Sequence, residues 1–224
     1  KCLGGINRDV ARSVKETQDG GYIVAGHSYS TDGDVTGAHG GADAWVVKLS
    51  NTGSMEWQRT YGGSGDDFAN SLCRTFDGGY VFSGASYSLD GDISAHHGDS
   101  SEADAWVVKL SAAGSIEWER SFGGSMLDGA PCIRQTFDSG YIFTGPTESD
   151  DGDVSGHTGS LITKTDLWLV KLSATGAIQW NKCVDISIDG GVSVEQTVDS
   201  GYIVCGSYTT YPAYNAYLWI IKFT

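Results

Sequence analysis

Proline occurs only three times in the 224 residues, and no apolar run is long enough for a membrane-spanning helix; the longest, around AYLWII, is strand-sized. Membrane insertion by a helix is therefore not expected. Cationic residues are scarce as well. Lys and Arg number 14 against 28 Asp and Glu, a formal charge of −14. So acidic a surface repels phosphate backbones, which argues against nucleic acid and leaves cations or proteins with basic patches. No C-x-x-C pair is formed by Cys2, Cys73, Cys132, Cys183 or Cys205, so zinc-ribbon and thioredoxin motifs are absent. An odd number leaves at least one cysteine free or paired between chains, and a small buried apolar role is the default for such residues. G-x-S-x-G, H-E-x-x-H and phosphate-cradling loops are missing too. No secretory leader is visible, and the chain opens in mid-pattern, as expected if one has been removed.

Glycine is abundant, with 32 residues, and the chain carries 7 Trp, 11 Tyr and 7 Phe. Many short strands joined by tight turns suit that mix better than disorder does. Internal repetition settles the organisation. A GY dipeptide recurs at Tyr22, Tyr80, Tyr141 and Tyr202, at intervals of 58, 61 and 61 residues. Trp45, Trp106, Trp168 and Trp219 head the runs WVVKL, WVVKL, WLVKL and WIIKF, and Trp57, Trp118 and Trp180 mark a further segment found three times. Each unit holds four strand candidates, in the first unit VARSVKET, GYIVAGHS, AWVVKLS and MEWQRTY. The first two are joined by T-x-D-G/S-G-Y, where Asp and Gly suit a hairpin needing positive φ.

Four antiparallel strands per unit, repeated radially, predict a four-bladed β-propeller spanning residues 1–224 as a single domain. The last unit lacks its fourth strand, while the chain begins with KCLGG, which aligns with RTYGG and RSFGG. The N-terminal strand is thus expected to pair into the last blade and close the ring. Small residues at Ala11, Ala69, Ala130 and Gly191, and at Ser13, Ser71, Cys132 and Ser193, suit crowding around a narrow axis. The rival assembly is an eight-bladed ring made by two chains.

The pattern DGGYIVAG…DGDVTG…DAWVVKLSNTG…W…YGGSGDD resembles the roughly sixty-residue propeller repeats of large secreted or surface-attached bacterial proteins. The resemblance covers essentially the whole chain. It implies a β-propeller and an extracellular or cell-surface setting, with no single activity and no catalytic residues to carry across. The fourth unit departs from the pattern: its connection between the second and third strands reads SYTTYPAYNAY, without DGD or histidine.

Three acidic sets are expected on one face, where the connections into the first strand and between the second and third strands emerge. They are Asp9, Asp67, Asp128 and Asp189; Asp32 with Asp34, Asp90 with Asp92, and Asp151 with Asp153; and Asp43, Asp104 and Asp166. His39, His97 and His157 follow DGD at nearly constant spacing. Closely spaced Asp and Gly could supply the six to eight oxygens that Ca²⁺ takes, either at the axial ring or in each DGD loop. Asp equally accepts backbone N–H bonds in a turn, and a repeated turn needs no ligand. Tyr208, Tyr211 and Tyr214 offer flat faces for a sugar or a protein partner. The expected role is a non-catalytic binding or scaffold module, most simply a monomer, with a protein or glycan ligand. The alternative is a glycan-active enzyme, a glycosidase or lyase, using acids on the same face.

Overall fold

The computed structural model describes residues 1–157, 165–185, 190–210 and 215–224. Among them lie fifteen strands and no helix. The first unit is β1 (Asp9–Glu16), β2 (Tyr22–Ser28), β3 (Asp43–Leu49) and β4 (Met55–Tyr61); the second is β5 (Asp67–Arg74), β6 (Tyr80–Ser86), β7 (Asp104–Leu110) and β8 (Ile116–Phe122). The third is β9 (Cys132–Gln135), β10 (Tyr141–Thr147), β11 (Asp166–Leu172) and β12 (Ile178–Val184); the fourth is β13 (Gly190–Gln196), β14 (Tyr202–Thr210) and β15 (Asn215–Phe223). Each unit is one antiparallel sheet in chain order, so the fold is all-β and propeller-like, with three four-stranded blades and one of three strands.

Local chemistry builds the hairpins. At the first, Thr17 N–H donates to the Gly21 carbonyl (2.8 Å), while the Thr17 hydroxyl and Gly21 N–H both donate to Asp19. The turn residue that follows the aspartate has positive φ: +77° at Gly20, +86° at Gly78, and 65° at Ser139 and Ser200 where the motif reads D-S-G. Glycine is also forced inside β2 and β6. A Cβ at Gly26 or Gly84 would lie 1.8 Å from the Val10 or Phe68 carbonyl oxygen. The cause is a repeated irregularity in the inner strand, where the register skips between Ala11 and Ser13 and again between Ala69 and Ser71.

Alternation sends each blade's side chains to two faces, and the faces stack blade on blade. Ile23, Ala25, Ala44 and Val46 of the first blade meet Leu72, Phe82, Trp106 and Val108 of the second. Val81, Ala105 and Val107 then meet Ile133, Phe143, Trp168 and Val170 of the third. Ile142, Leu167 and Leu169 meet Val194, Val204 and Trp219 of the fourth. Each fourth-strand tryptophan packs on the next blade's GY tyrosine: Trp57 on Tyr80, Trp118 on Tyr141 and Trp180 on Tyr202, with ring centroids 6.4, 5.6 and 5.6 Å apart. Inner strands are sewn together by the small residues. Ser13 accepts from Leu72 N–H and Ser71 accepts from Ile133 N–H.

Two expectations differ from what is observed. Residues 1–5 belong to no strand, and among the described residues β15 has no fourth neighbour in its sheet. Leu3 packs instead on the first blade's Trp45 and Val47. The segment read as a tyrosine loop is in part a longer hairpin, because β14 and β15 pair out to Thr210 and Asn215.

Candidate functional site

The DGD loops lie against the turn that precedes each inner strand, and that turn's backbone N–H groups donate to carboxylate oxygens. In the second blade, Gly62 N–H donates to Asp92 Oδ2 (3.1 Å), Gly63 N–H to Asp67 Oδ2 (2.8 Å), Ser64 N–H to Asp90 Oδ1 (2.7 Å) and Gly65 N–H to Ser88 Oγ (2.9 Å). The first blade repeats this with Gly4 on Asp34, Gly5 on Asp9, Ile6 on Asp32 and Asn7 on Ser30. The third repeats it with Gly124 on Asp128, Ser125 on Asp151 and Met126 on Ser149. Asp34, Asp92 and Asp153 return a bond, their N–H groups donating to the Gly4, Gly62 and Gly123 carbonyls (3.0, 3.0 and 2.8 Å).

The central glycine of DGD is fixed twice over. Gly33, Gly91 and Gly152 have φ of 67°, 70° and 63°, and a Cβ on each would sit 2.3–2.4 Å from the same carbonyls. A DGD loop is thus a two-way backbone clamp on the incoming chain. Asp67 and Asp128 are fully buried beneath it. Burial pushes both carboxyls above the ordinary range, against the pull of Ser86, Gly63 and Ser88 on Asp67 and of Thr147, Ser149 and Gly124 on Asp128. Among the described residues no group of three or more His, Cys, Asp or Glu is arranged to hold a metal ion. Asp189 lies outside the described residues.

The histidines turn out to be fixed on the third acidic set. His39 Nδ1 lies 2.8 Å from Asp43 and His97 Nδ1 2.9 Å from Asp104, while His157 Nε2 lies 3.8 Å from Asp166. All three aspartates are buried. His97 Nε2 also lies 3.7 Å from Asp153, so it bridges the second and third blades.

At the opposite end the lysines of W-V-V-K-L are buried. Lys48 meets Asp19 and Glu56 at 2.9 and 2.8 Å; Lys109 meets Asp77 and Glu117, both at 2.9 Å; Lys171 meets Asp138 at 2.9 Å. A lysine inside an otherwise apolar run was the available signal for these clamps.

What breaks the repeat is aromatic. His27, buried in the first blade, stands edge-on to Phe68 (4.9 Å) and to Tyr29 (6.0 Å), and Phe68 stands edge-on to Tyr87 (6.5 Å). Burial lowers the His27 pKa, with Arg12 and Arg8 acting in the same direction. Beside Tyr87 opens a hollow of about 470 Å³, lined by Leu89, Asp66, Ser64 and Ser100. Leu89 is 57% exposed. Its counterparts Thr31 and Asp150 are polar, and that asymmetry was the legible clue to the hollow. On the fourth blade Tyr208 stacks on Tyr217 at 5.2 Å and 22°. Tyr211 and Tyr214 lie outside the described residues.

No protein-family model matches the sequence, and no curated protein matches it. Among solved structures, a xylan β-1,4-xylosidase from Bacillus halodurans C-125 is similar over 98% of this chain, with a TM-score of 0.50 and 14% identity. The chain spans 42% of that protein's length, and the likeness is one of fold alone. A tail fiber of Staphylococcus aureus phage P68 aligns over 99% of the chain and 51% of its own, at 13% identity and a TM-score of 0.30, too low for a shared fold.

Proposed function

We propose that this chain is a non-catalytic binding module whose ligand surface is the end of the fold that carries the DGD loops. One observation carries the reading. The acids at the start of the inner strands, Asp67 and Asp128, accept backbone N–H groups from the preceding turn and are 0% exposed. A carboxylate buried that way cannot reach a glycosidic oxygen. The hollow beside Tyr87 offers an aromatic face, an apolar side chain, two hydroxyls and the Asp66 carboxylate. That composition suits a hydroxyl-rich ligand such as a glycan, whose C–H faces stack on rings and whose hydroxyls find polar partners. The stacked Tyr208 and Tyr217 extend the same kind of surface onto the fourth blade. The setting proposed is extracellular or at the cell surface. Calcium adds little at the clamps on this reading, since a backbone N–H already occupies one oxygen of each of Asp67, Asp90 and Asp92.

The test is affinity electrophoresis and calorimetry against soluble polysaccharides, xylan included, with reducing-sugar release measured in parallel. Binding without hydrolysis is expected. Tyr87→Ala should weaken it about tenfold, since a ring contact contributes on the order of 1.5 kcal/mol. Hydrolysis that Asp66→Asn abolishes would overturn the proposal in favour of a glycan-active enzyme.

A further inference from the structure

The fourth blade leaves one face uncovered and the first blade leaves part of one, where Leu3 covers Trp45 and Val47 but Val14 and Tyr22 stay exposed; the two faces are the two halves of a single repeated interface. On the side that each blade turns to its successor, Ile23, Val81 and Ile142 are 0% exposed, but their counterpart Ile203 is 38% exposed. At the next position Ala44, Ala105 and Leu167 are 0% exposed, against 74% for Leu218. Val46, Val107 and Leu169 are likewise 0%, against 60% for Ile220. On the side that each blade turns to its predecessor, Leu72, Ile133 and Val194 are 0% exposed, while Val14 of the first blade is 59% exposed. Tyr22 is 41% exposed, where Tyr80, Tyr141 and Tyr202 lie under a tryptophan. A cavity of about 400 Å³ opens there beside Leu3, Val10, Val24, Trp45 and Val47.

Polar fittings match in the same sense. Phe76 N–H donates to Gln135 of the following blade, and Phe137 N–H to Gln196, both at 2.7 Å. Val198 holds the equivalent place in the fourth blade and is 99% exposed, and Glu16 is the first blade's counterpart of Gln135 and Gln196. Residues 1–5 already stand where a preceding blade's fourth strand ends: Gly4 and Gly5 are clamped by Asp34 and Asp9 as Gly62 and Gly63 are by Asp92 and Asp67. That leaves Lys1–Leu3 to pair with an open β15.

We propose that a second copy of this chain covers both faces, docking head to tail so that the fourth blade of each copy packs on the first blade of the other and the two close into one ring. The chain's own geometry favours a second copy over itself. β1 packs on β5, β5 on β9 and β9 on β13, but among the described residues β13 makes no comparable contact with β1. Bringing the two ends of one chain together means repacking three interfaces whose central side chains are fully buried, and close-packed interiors resist such shifts. A second copy needs no repacking. A head-to-tail contact either closes or grows into a filament, and closure as a pair buries every open face.

Light scattering across about 1–100 μM, a range over which an association governed by mass action shows itself, should give a particle of twice 23.7 kDa. A monomer throughout, or a ladder of larger species, overturns the proposal. Leu218→Asp with Ile220→Asp should leave circular dichroism unchanged, because both side chains are exposed in the single chain, and should abolish the pair. Val14→Asp should do the same from the other face. Mixing the two variants leaves one intact interface and should restore a heterodimer. If Val14→Asp stays dimeric, the contact joins fourth blade to fourth blade, and the head-to-tail arrangement is wrong.

Discussion

Replacing Asp67 by alanine isolates what the acids of the repeat do. Its oxygens accept Gly63 N–H at 2.8 Å, Ser88 Oγ at 2.7 Å and the Ser86 hydroxyl, all in a fully buried site. Hydrogen bonds to a charged group contribute about 1.5–3 kcal/mol each. Burial of the charge works against them, as the raised Asp67 pKa shows. Alanine also leaves a backbone donor unpaired without access to water, which costs about 1–3 kcal/mol. The net expected loss is about 3 kcal/mol, a fall of roughly 6–12 °C in the unfolding midpoint of a chain this long. Asp90 is exposed and holds the same turn through Ser64 N–H at 2.7 Å. Asp90→Ala should therefore cost about 0.5–1 kcal/mol. Thermal unfolding by circular dichroism separates the two, and equal losses would refute the view that burial at the clamp sets the energy. Calcium gives a second readout. A saturable rise of the wild-type midpoint that Asp67→Ala removes would make this carboxylate a cation ligand.

Ser139 sits at φ 65° in a hairpin whose equivalents are Gly20 and Gly78. Ser139→Gly should stabilise by about 0.5–1 kcal/mol in urea unfolding, and Gly78→Ser should destabilise. Gly91→Ala meets both positive φ and the Gly62 carbonyl at 2.3 Å, so a loss of at least about 2 kcal/mol is expected. Burial opposes it, yet the Thr75 hydroxyl, Gly79 N–H and the Lys109 ammonium hold the Asp77 carboxyl down to about 2; against the same opposition Lys171, Thr136 and Gly140 hold Asp138 there. A carboxyl depressed in the folded state contributes stability above its unfolded value of 3.8 and loses it as pH falls through about 2. The stability gap between wild type and the Asp77→Asn, Asp138→Asn double variant should then be flat above about pH 5 and close on acidification. Burial pushes the Cys73 thiol up to about 11, and Cys132 is buried as well. A thiol reagent at about pH 8 should leave both unlabelled until denaturant is added.

Strand positions were legible because their signals are local. The four segments read in the first unit fall within a residue of β1 to β4 at either end, since alternation and T-x-D-G turns act over a few neighbours. The longer β14–β15 hairpin was not legible. SYTTYPAYNAY carries a proline and polar residues that read as loop, and the pairing that overrides them comes from register inherited from the strands below. The histidine contacts escaped as well, because the distance along the chain from His39 to Asp43 differs from that between His97 and Asp104.

By itself the sequence determined the four-fold repeat, the strands, the turns that need glycine or aspartate, and an acidic surface, all of which follow from spacing and residue type. Tertiary structure decided what the acids are for. Asp92 and Gly62 are 30 residues apart, Asp90 and Ser64 are 26 apart, and only the docking of one blade on the next aims those N–H groups at those oxygens. It also decided which apolar faces are covered. Leu218 and Leu167 hold equivalent places in the repeat, and the presence of a following blade alone makes one 74% exposed and the other 0%.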